Sequence, residues 1–281
     1  VTAGYLPDYP FEYRRKGQVV ETGRTNLFEN DDFRMTLTLF DFDGEYTCWI
    51  GMDLGMVSRI FHDTVYKGIQ KVTDKVSYDH FLLNGTHTHS GPNLTSIQTF
   101  DDTKLKEEDL SPICFHCADL AGKLFLEAQE KLKPFHAEIR TTLIEGCWSN
   151  RNALDTPCDR NVTLIRYLED ETDNLLGMWM SLNCHSTMIF PQNEHLCTDL
   201  VGFTAHRLAD HWRTVVQPNC GAQGDTSTRL TRHRTMDADD DYRELLRISN
   251  AAAEQIIFDT APFEPLDLTK FEVKNFFLSF A

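Results

Sequence analysis

The chain has 281 residues, 41 % hydrophobic and 25 % charged, which is ordinary usage for a folded protein and enough length for one large domain. Its 43 acidic against 27 basic residues give a net charge of −16, which excludes a surface built around the phosphate backbone of nucleic acid. No apolar run reaches the length of a membrane span, and no basic stretch followed by an apolar one opens the chain as in a signal peptide.

The first thirty residues, with Gly4, Pro7, Pro10, Gly17 and Gly23 among polar groups, read as an irregular lead-in. Arg34 to Phe40 alternates Met35, Leu37 and Leu39 with polar neighbours. Tyr46 to Met52 follows the turn Asp41-Phe42-Asp43-Gly44, so the two runs predict a β-hairpin. Asp53 closes the second strand, either as a carboxylate placed for chemistry at a strand end or as a helix cap. Ile60, Phe61, Val65, Ile69 and Val72 recur at helical spacing, and a strand from Tyr78 to Leu83 follows. Strand, helix and strand in that order suggest a crossover onto a shared sheet. A second helix is predicted from Pro112 to Leu132, capped by Ser111 and stopped before Pro134. Ala137 to Cys147 reads as a long strand, and Val162 to Leu168 pairs with Leu175 to Leu182 across the acidic turn Glu169 to Asp173. Thr198-Asp199 opens a third helix, with Leu200, Phe203, Leu208 and Trp212 on its apolar side. A short strand at Val215-Val216, a polar loop from Arg229 to Asp241, a helix from Tyr242 to Phe258 and a terminal strand from Phe271 to Phe280 complete the chain. The predicted fold class is α/β, a mixed β-sheet with helices packed outside and a site at the strand ends, in a single domain spanning residues 1–281.

Chemistry concentrates in Asn84-Gly85-Thr86-His87-Thr88-His89-Ser90-Gly91-Pro92, which follows the apolar run Phe81-Leu82-Leu83. If the backbone stays extended, His87 and His89 point into one pocket, and the hydroxyls of Thr86, Thr88 and Ser90 are suitable partners for a metal-bound imidazole. The alternative is a polar loop bearing two surface histidines. His185 also stands just past an apolar strand, in Asn183-Cys184-His185-Ser186-Thr187-Met188, either converging with His87 or buried for structure. The turn from Asn219 to Ser227 contains Gly221 and Gly224, which let backbone amides approach a ligand closely.

Eight cysteines are too dilute and irregular for a disulfide scaffold, so most read as buried thiols, and they lean toward a soluble, cytoplasmic setting over a secreted one. Cys114-Phe115-His116-Cys117 has CxxC spacing but falls in a helical stretch without a second CxxC, which favours core packing over zinc or redox chemistry. The glycosylation sequons at Asn84, Asn93 and Asn161 are discounted, because two of them border the histidine loop.

In order along the chain, these motifs resemble those of the neutral/alkaline ceramidase family, in its N-terminal catalytic domain. Thr86-His87-Thr88-His89-Ser90-Gly91-Pro92 matches a family motif throughout, and Asn150-Arg151-Asn152 is similar to an Asn-Arg-Ser segment. Asn183 to Met188 approximates a segment that holds a second histidine. Asp199 with Gly202, and Gly224-Asp225-Thr226-Ser227, resemble later ones. The resemblance implies a zinc-dependent amidase. His87 and His185 take the place of metal ligands, His89 and Arg151 lie near the water and the scissile carbonyl, and Ser227 stands where a family serine lies close to the site.

The family draws a Glu and a Tyr from a later part of its chain as further zinc ligands, and no counterpart is recognisable before Ala281, so the family's C-terminal portion is expected to be missing. A second chain or a further segment then completes the site, or Asp53, His89, Asp199 or Asp225 does, or the metal is lost. The implied substrate is a ceramide-like lipid or a smaller N-acyl compound. Two other readings remain: a hydrolase in which Ser227 is the nucleophile with His89 or His185 as base, and a ceramidase-like subunit or binding module without activity of its own.

Overall fold

The apolar alternation of the central strands serves two different interiors, because the strands form two stacked sheets. The structure, a computed structural model, describes residues 1–5, 11–15, 18–22, 33–92, 94–95, 102–189, 196–235, 237–270 and 273. Strand β1 (Thr2–Tyr5) precedes a hairpin of β2 (Phe11–Arg15) and β3 (Gln18–Thr22), and β4 (Arg34–Phe42) with β5 (Glu45–Met52) forms the predicted second hairpin. Helix α1 (Arg59–Gln70) crosses over to β6 (Phe81–Gly85), which lies parallel to β5, so the first sheet runs β1-β4-β5-β6. The lead-in is therefore partly strand: Gly4 sits opposite Met35, and pairing of main chain to main chain needs no apolar period to direct it.

Helix α2 (Pro112–Glu130) is followed by β7 (Phe135–Leu143), the two-residue β8 (Ser149–Asn150), β9 (Asn161–Glu169) and β10 (Leu175–Leu182). Helix α3 (Asp199–Trp212) carries the chain to β11 (Val216–Cys220), parallel to β10. The short β12 (Thr226–Ser227) pairs with β8, α4 (Ala238–Ile257) packs outside, and β13 (Glu264–Pro265) closes a second sheet of order β11-β10-β9-β7-β13. Tyr78–His80 is a 3-10 turn ahead of β6, not the start of the strand. Helix α4 begins inside what reads as a polar loop, because Asp237 accepts from the amides of Asp239 and Asp240 and an acidic first turn suits the positive end of the helix dipole. The predicted terminal strand lies outside the described residues except for Val273.

Four layers result. Helices α1 and α2 cover the outer face of the first sheet through Met35, Leu37, Ile50, Phe61, Ile69, Ile113 and Phe125, all nearly inaccessible. Helices α3 and α4 cover the second through Leu164, Met180, Leu200, Leu208, Leu245 and Ile256. Between the sheets, Thr38 Oγ1 donates to Gln217 Oε1 at 2.5 Å, and the rings of Trp49 and Trp179 lie 5.1 Å apart. The approach is close at Gly51, where an added Cβ would stand 2.9 Å from both Gln217 Cγ and Pro218 O, so only glycine fits. Each sheet ends in a parallel pair, β5/β6 and β10/β11, and each pair releases a histidine loop after its strand.

Cys114 and Cys117 are buried in α2, and all eight cysteines are free thiols, as the spacing predicts. Asn84 Oδ1 accepts from the Trp49 indole at 2.7 Å and its Nδ2 donates to Pro218 O at 3.0 Å, so that sequon is occupied by packing between the sheets. No described helix is long and apolar enough to cross a membrane.

Candidate metal centre

The loop after β6 does not continue extended as its sequence suggests. His87 adopts φ 60°, a left-handed conformation uncommon for residues with a side chain and costly by roughly 1–3 kcal/mol unless the surroundings impose it. They do so through the turn after β5: Thr86 N–H donates to Met52 O at 2.9 Å and His87 N–H to Leu54 O at 3.0 Å. An added Cβ on Gly85 would stand 2.6 Å from that same Leu54 oxygen, so the loop needs glycine there to reach its acceptor. His87 and His89 converge through this turn instead of through strand periodicity.

After β10, His185 N–H donates to Thr226 O at 3.1 Å, which ties the second loop to β12. The imidazoles of His87, His89 and His185 then form one cluster whose nitrogens lie within 4.8 Å of one another. His87 Nε2 stands 3.2 Å from His185 Nε2 and 3.1 Å from His89 Nε2. His87 Nδ1 is 3.0 Å from Gly55 O and His185 Nδ1 is 3.4 Å from Gln223 O. A carbonyl only accepts, so each contact fixes the tautomer with hydrogen on Nδ1 and leaves an Nε2 lone pair facing the other ring. Two such lone pairs at 3.2 Å repel each other unless a cation stands between them. Two nitrogens about 2.0–2.1 Å from a tetrahedral zinc would be separated by roughly 3.3–3.4 Å, so the observed spacing fits such an ion closely.

His89 is exposed, and no carbonyl holds its Nδ1 among the described residues. Burial lowers the pKa of all three imidazoles. For His89 it acts together with the charges of His87, His185 and Arg151, to about 4. The trio is therefore neutral near pH 7, the form that ligates a metal.

Arg151 follows β8 and donates its N–H to Asp225 O at 2.7 Å and its Nη1 to Gly224 O at 3.2 Å, which brings its charge to bear on His89 and His185. Ser227 lies on β12, 5 % exposed, with its Oγ accepting from Arg229 N–H at 3.2 Å. The carboxylates considered as further ligands do not join the cluster among the described residues. Asp53, fully buried, accepts from Arg34 N–H at 3.0 Å and lies 3.4 Å from His206 Nε2; Ser58, not Asp53, caps α1. Asp199 accepts from the amides of Met188, Ile189 and Leu200, and Asp225 takes the Thr226 hydroxyl.

Two features escape sequence reasoning. The hydroxyls expected to support the imidazoles do not: Thr88 Oγ1 donates to Cys197 O at 2.5 Å, and the support comes from the carbonyls of Gly55 and Gln223, which no side-chain motif announces. Arg232, in the stretch read as a polar loop, reaches Met188 O and Thr187 O and pairs with the buried Asp241, clamping the His185 loop from below.

Fold and cluster together define a four-layer α/β protein with a histidine-rich centre at the ends of two parallel strand pairs. No protein-family model matches the chain, and no curated protein matches it in sequence. Among solved structures it is similar to the neutral ceramidase of Pseudomonas aeruginosa, with a TM-score of 0.68 and 16 % identity over 90 % of this chain and 42 % of that one. It is also similar to a ceramidase complexed with C2, with a TM-score of 0.69 and 15 % identity over 91 % of this chain and 42 % of that one. The chain thus has a neutral-ceramidase-like fold, as its motifs predict, and spans less than half the length of these structural relatives.

Proposed function

We propose that the chain is a zinc-dependent hydrolase of the amide bond in an N-acyl compound, ceramide-like or smaller. The observation that carries this reading is the pair of tautomer-locked imidazoles, His87 and His185, whose Nε2 lone pairs converge at 3.2 Å. These two residues hold the metal. Bound there, zinc would supply Lewis acidity toward the amide carbonyl and bring the pKa of a water toward about 7.

The remaining chemistry belongs to the chain's own groups. His89 is neutral and free in its choice of tautomer, so its Nε2 takes the proton of the attacking water and returns it to the leaving nitrogen. Arg151 is anchored by Gly224 and Asp225 and stabilises the negative charge that develops on the carbonyl oxygen. Further metal donors come from a segment or partner chain outside this sequence, in keeping with a chain that spans 42 % of its structural relatives. Ser227 is not favoured as nucleophile, because its buried Oγ faces a backbone amide instead of an imidazole.

The test is turnover of a panel of N-acyl amides by the zinc-loaded chain, before and after chelation and with the relatives' remaining segment supplied in trans. Hydrolysis that disappears with the metal supports the reading. Hydrolysis that survives chelation contradicts it.

A further inference from the structure

Strands β6 and β11 stand at the ends of their sheets, and each pairs with one neighbour among the described residues. The two edges lie together, since Asn84 Nδ2 donates to Pro218 O at 3.0 Å. In a parallel pair, alternate residues turn their main-chain groups toward the neighbouring strand. Thr86 N–H donates to Met52 O, so Leu82 and Asn84 also face β5 while Phe81 and Leu83 face outward. Phe81 O lies 3.4 Å from His62 Nε2, but the N–H and C=O of Leu83 meet no partner among the described residues. On β11, Met178 N–H donates to Val215 O and Gly221 N–H to Leu182 O, so Pro218 falls at an outward position. A proline there has no N–H to offer, which blunts β11 as an edge. The edge of β6 carries no such guard.

A cavity of about 240 Å³ runs along this open edge, lined by Phe81 to Asn84 with Trp49, His62 and Asn219. Phe81 and Leu83 pack into the layer of α1, whereas Trp49 and Asn84 face the second sheet, so the cavity wraps both faces of the strand. A void of roughly 150 Å³ already admits a benzene ring, so this one has room for an aromatic or branched aliphatic side chain. The chain matches 42 % of the length of its structural relatives, and His87 stands two residues beyond the end of β6. We propose that the edge of β6 receives a strand of the polypeptide that those relatives carry outside the matched region, hydrogen-bonded to Leu83 and with one apolar side chain in the cavity. This rests on the reading that a segment outside this sequence completes the centre. Such a strand extends the first sheet and brings the segment alongside the His87 loop. Main-chain bonds supply the affinity and the cavity selects the side chain, so the pairing tolerates the 15–16 % identity between the chains.

The experiment follows amide hydrogen exchange along β6 while overlapping synthetic peptides, covering the unmatched portion of the Pseudomonas aeruginosa neutral ceramidase, are added one at a time. A strand-adding sequence is linear, so a peptide suffices to carry it. In the chain alone, the amides of Leu82 and Asn84 are expected to be protected and that of Leu83 to exchange freely. One peptide, or a few that adjoin, should slow exchange at Leu83 about tenfold or more, and Leu83→Pro should weaken its binding by a similar factor while leaving the fold intact, because the lost N–H serves no bond within the sheet. No peptide that protects Leu83, or binding that Leu83→Pro leaves unchanged, would overturn the proposal. Protection of Leu83 in the chain alone that grows with its concentration would also overturn it and assign the edge to a second copy. Peptide-dependent protection in a chain that takes up zinc but hydrolyses no N-acyl amide would leave this inference standing and remove the amidase reading. Metal-dependent hydrolysis with Leu83 unprotected by any peptide would do the reverse.

Discussion

The two histidine loops reach the same point by opposite means. His87 itself is held by main-chain bonds from Thr86 and His87 to Met52 and Leu54 of the neighbouring strand's own turn, and beyond it the loop is tied to the second half of the chain, Thr88 Oγ1 donating to Cys197 O and His89 N–H to Ser186 O. The His185 loop is held from a distance: Asp199 at the start of α3 takes the amides of Met188 and Ile189, Arg232 takes the carbonyls of Thr187 and Met188, and Thr226 of β12 takes the His185 amide. Asp199 itself sits at φ 58°, so a left-handed residue serves each loop, His87 within the first and, for the second, the carboxylate clamp at the start of α3. His87 is thus set chiefly by the turn of its neighbouring strand, and His185 by a buried charged clamp.

The largest expected effect erases the difference between the loops, since both end in a proposed ligand. His87→Ala and His185→Ala should each remove stoichiometric zinc and all turnover, measured by elemental analysis and amide hydrolysis. Next, His89→Ala should spare the metal and lower kcat by about 10²–10⁴, the usual worth of a positioned acid–base group. Arg232→Met should then separate the loops: it breaks a buried pair with Asp241, at a cost of roughly 3–5 kcal/mol in denaturant unfolding, and loosens His185 but not His87. The smallest effect belongs to the first loop, where Gly85→Ala should cost about 1–3 kcal/mol by pressing a Cβ against Leu54 O and shifting His87. If Arg232→Met leaves zinc affinity intact while Gly85→Ala abolishes it, the assignment of local and distant support is reversed.

The same contrast explains what could be read from the sequence. Helix α1 follows from its apolar period, because one face of it is buried against a single layer, and the β4/β5 and β9/β10 hairpins follow from apolar runs separated by turn residues. The histidine motif was legible because its residues are contiguous, and His185 because it repeats the placement of His87 after a strand. The strand character of the lead-in was hidden: β1 is defined by its pairing with β4, not by its own side chains. The doubling of the sheet was equally hidden, since inner and outer faces are both largely apolar and one chain's alternation does not tell which layer each face meets. Hidden too were the carbonyls of Gly55 and Gln223, which act through the main chain and fix the histidine tautomers. The clamp by Arg232 reads as part of a charged loop until α4 and its buried Asp241 are in place.

The measurement that bears most directly on the centre is metal content of the purified chain after dialysis against zinc, set beside that of a His87→Ala/His185→Ala double variant shown to be folded. The account predicts about one zinc per chain in the former and none in the latter, as expected when the two converging lone pairs are the anchoring donors. Equal zinc in both, or none in the unaltered chain even with the relatives' remaining segment supplied, would contradict it.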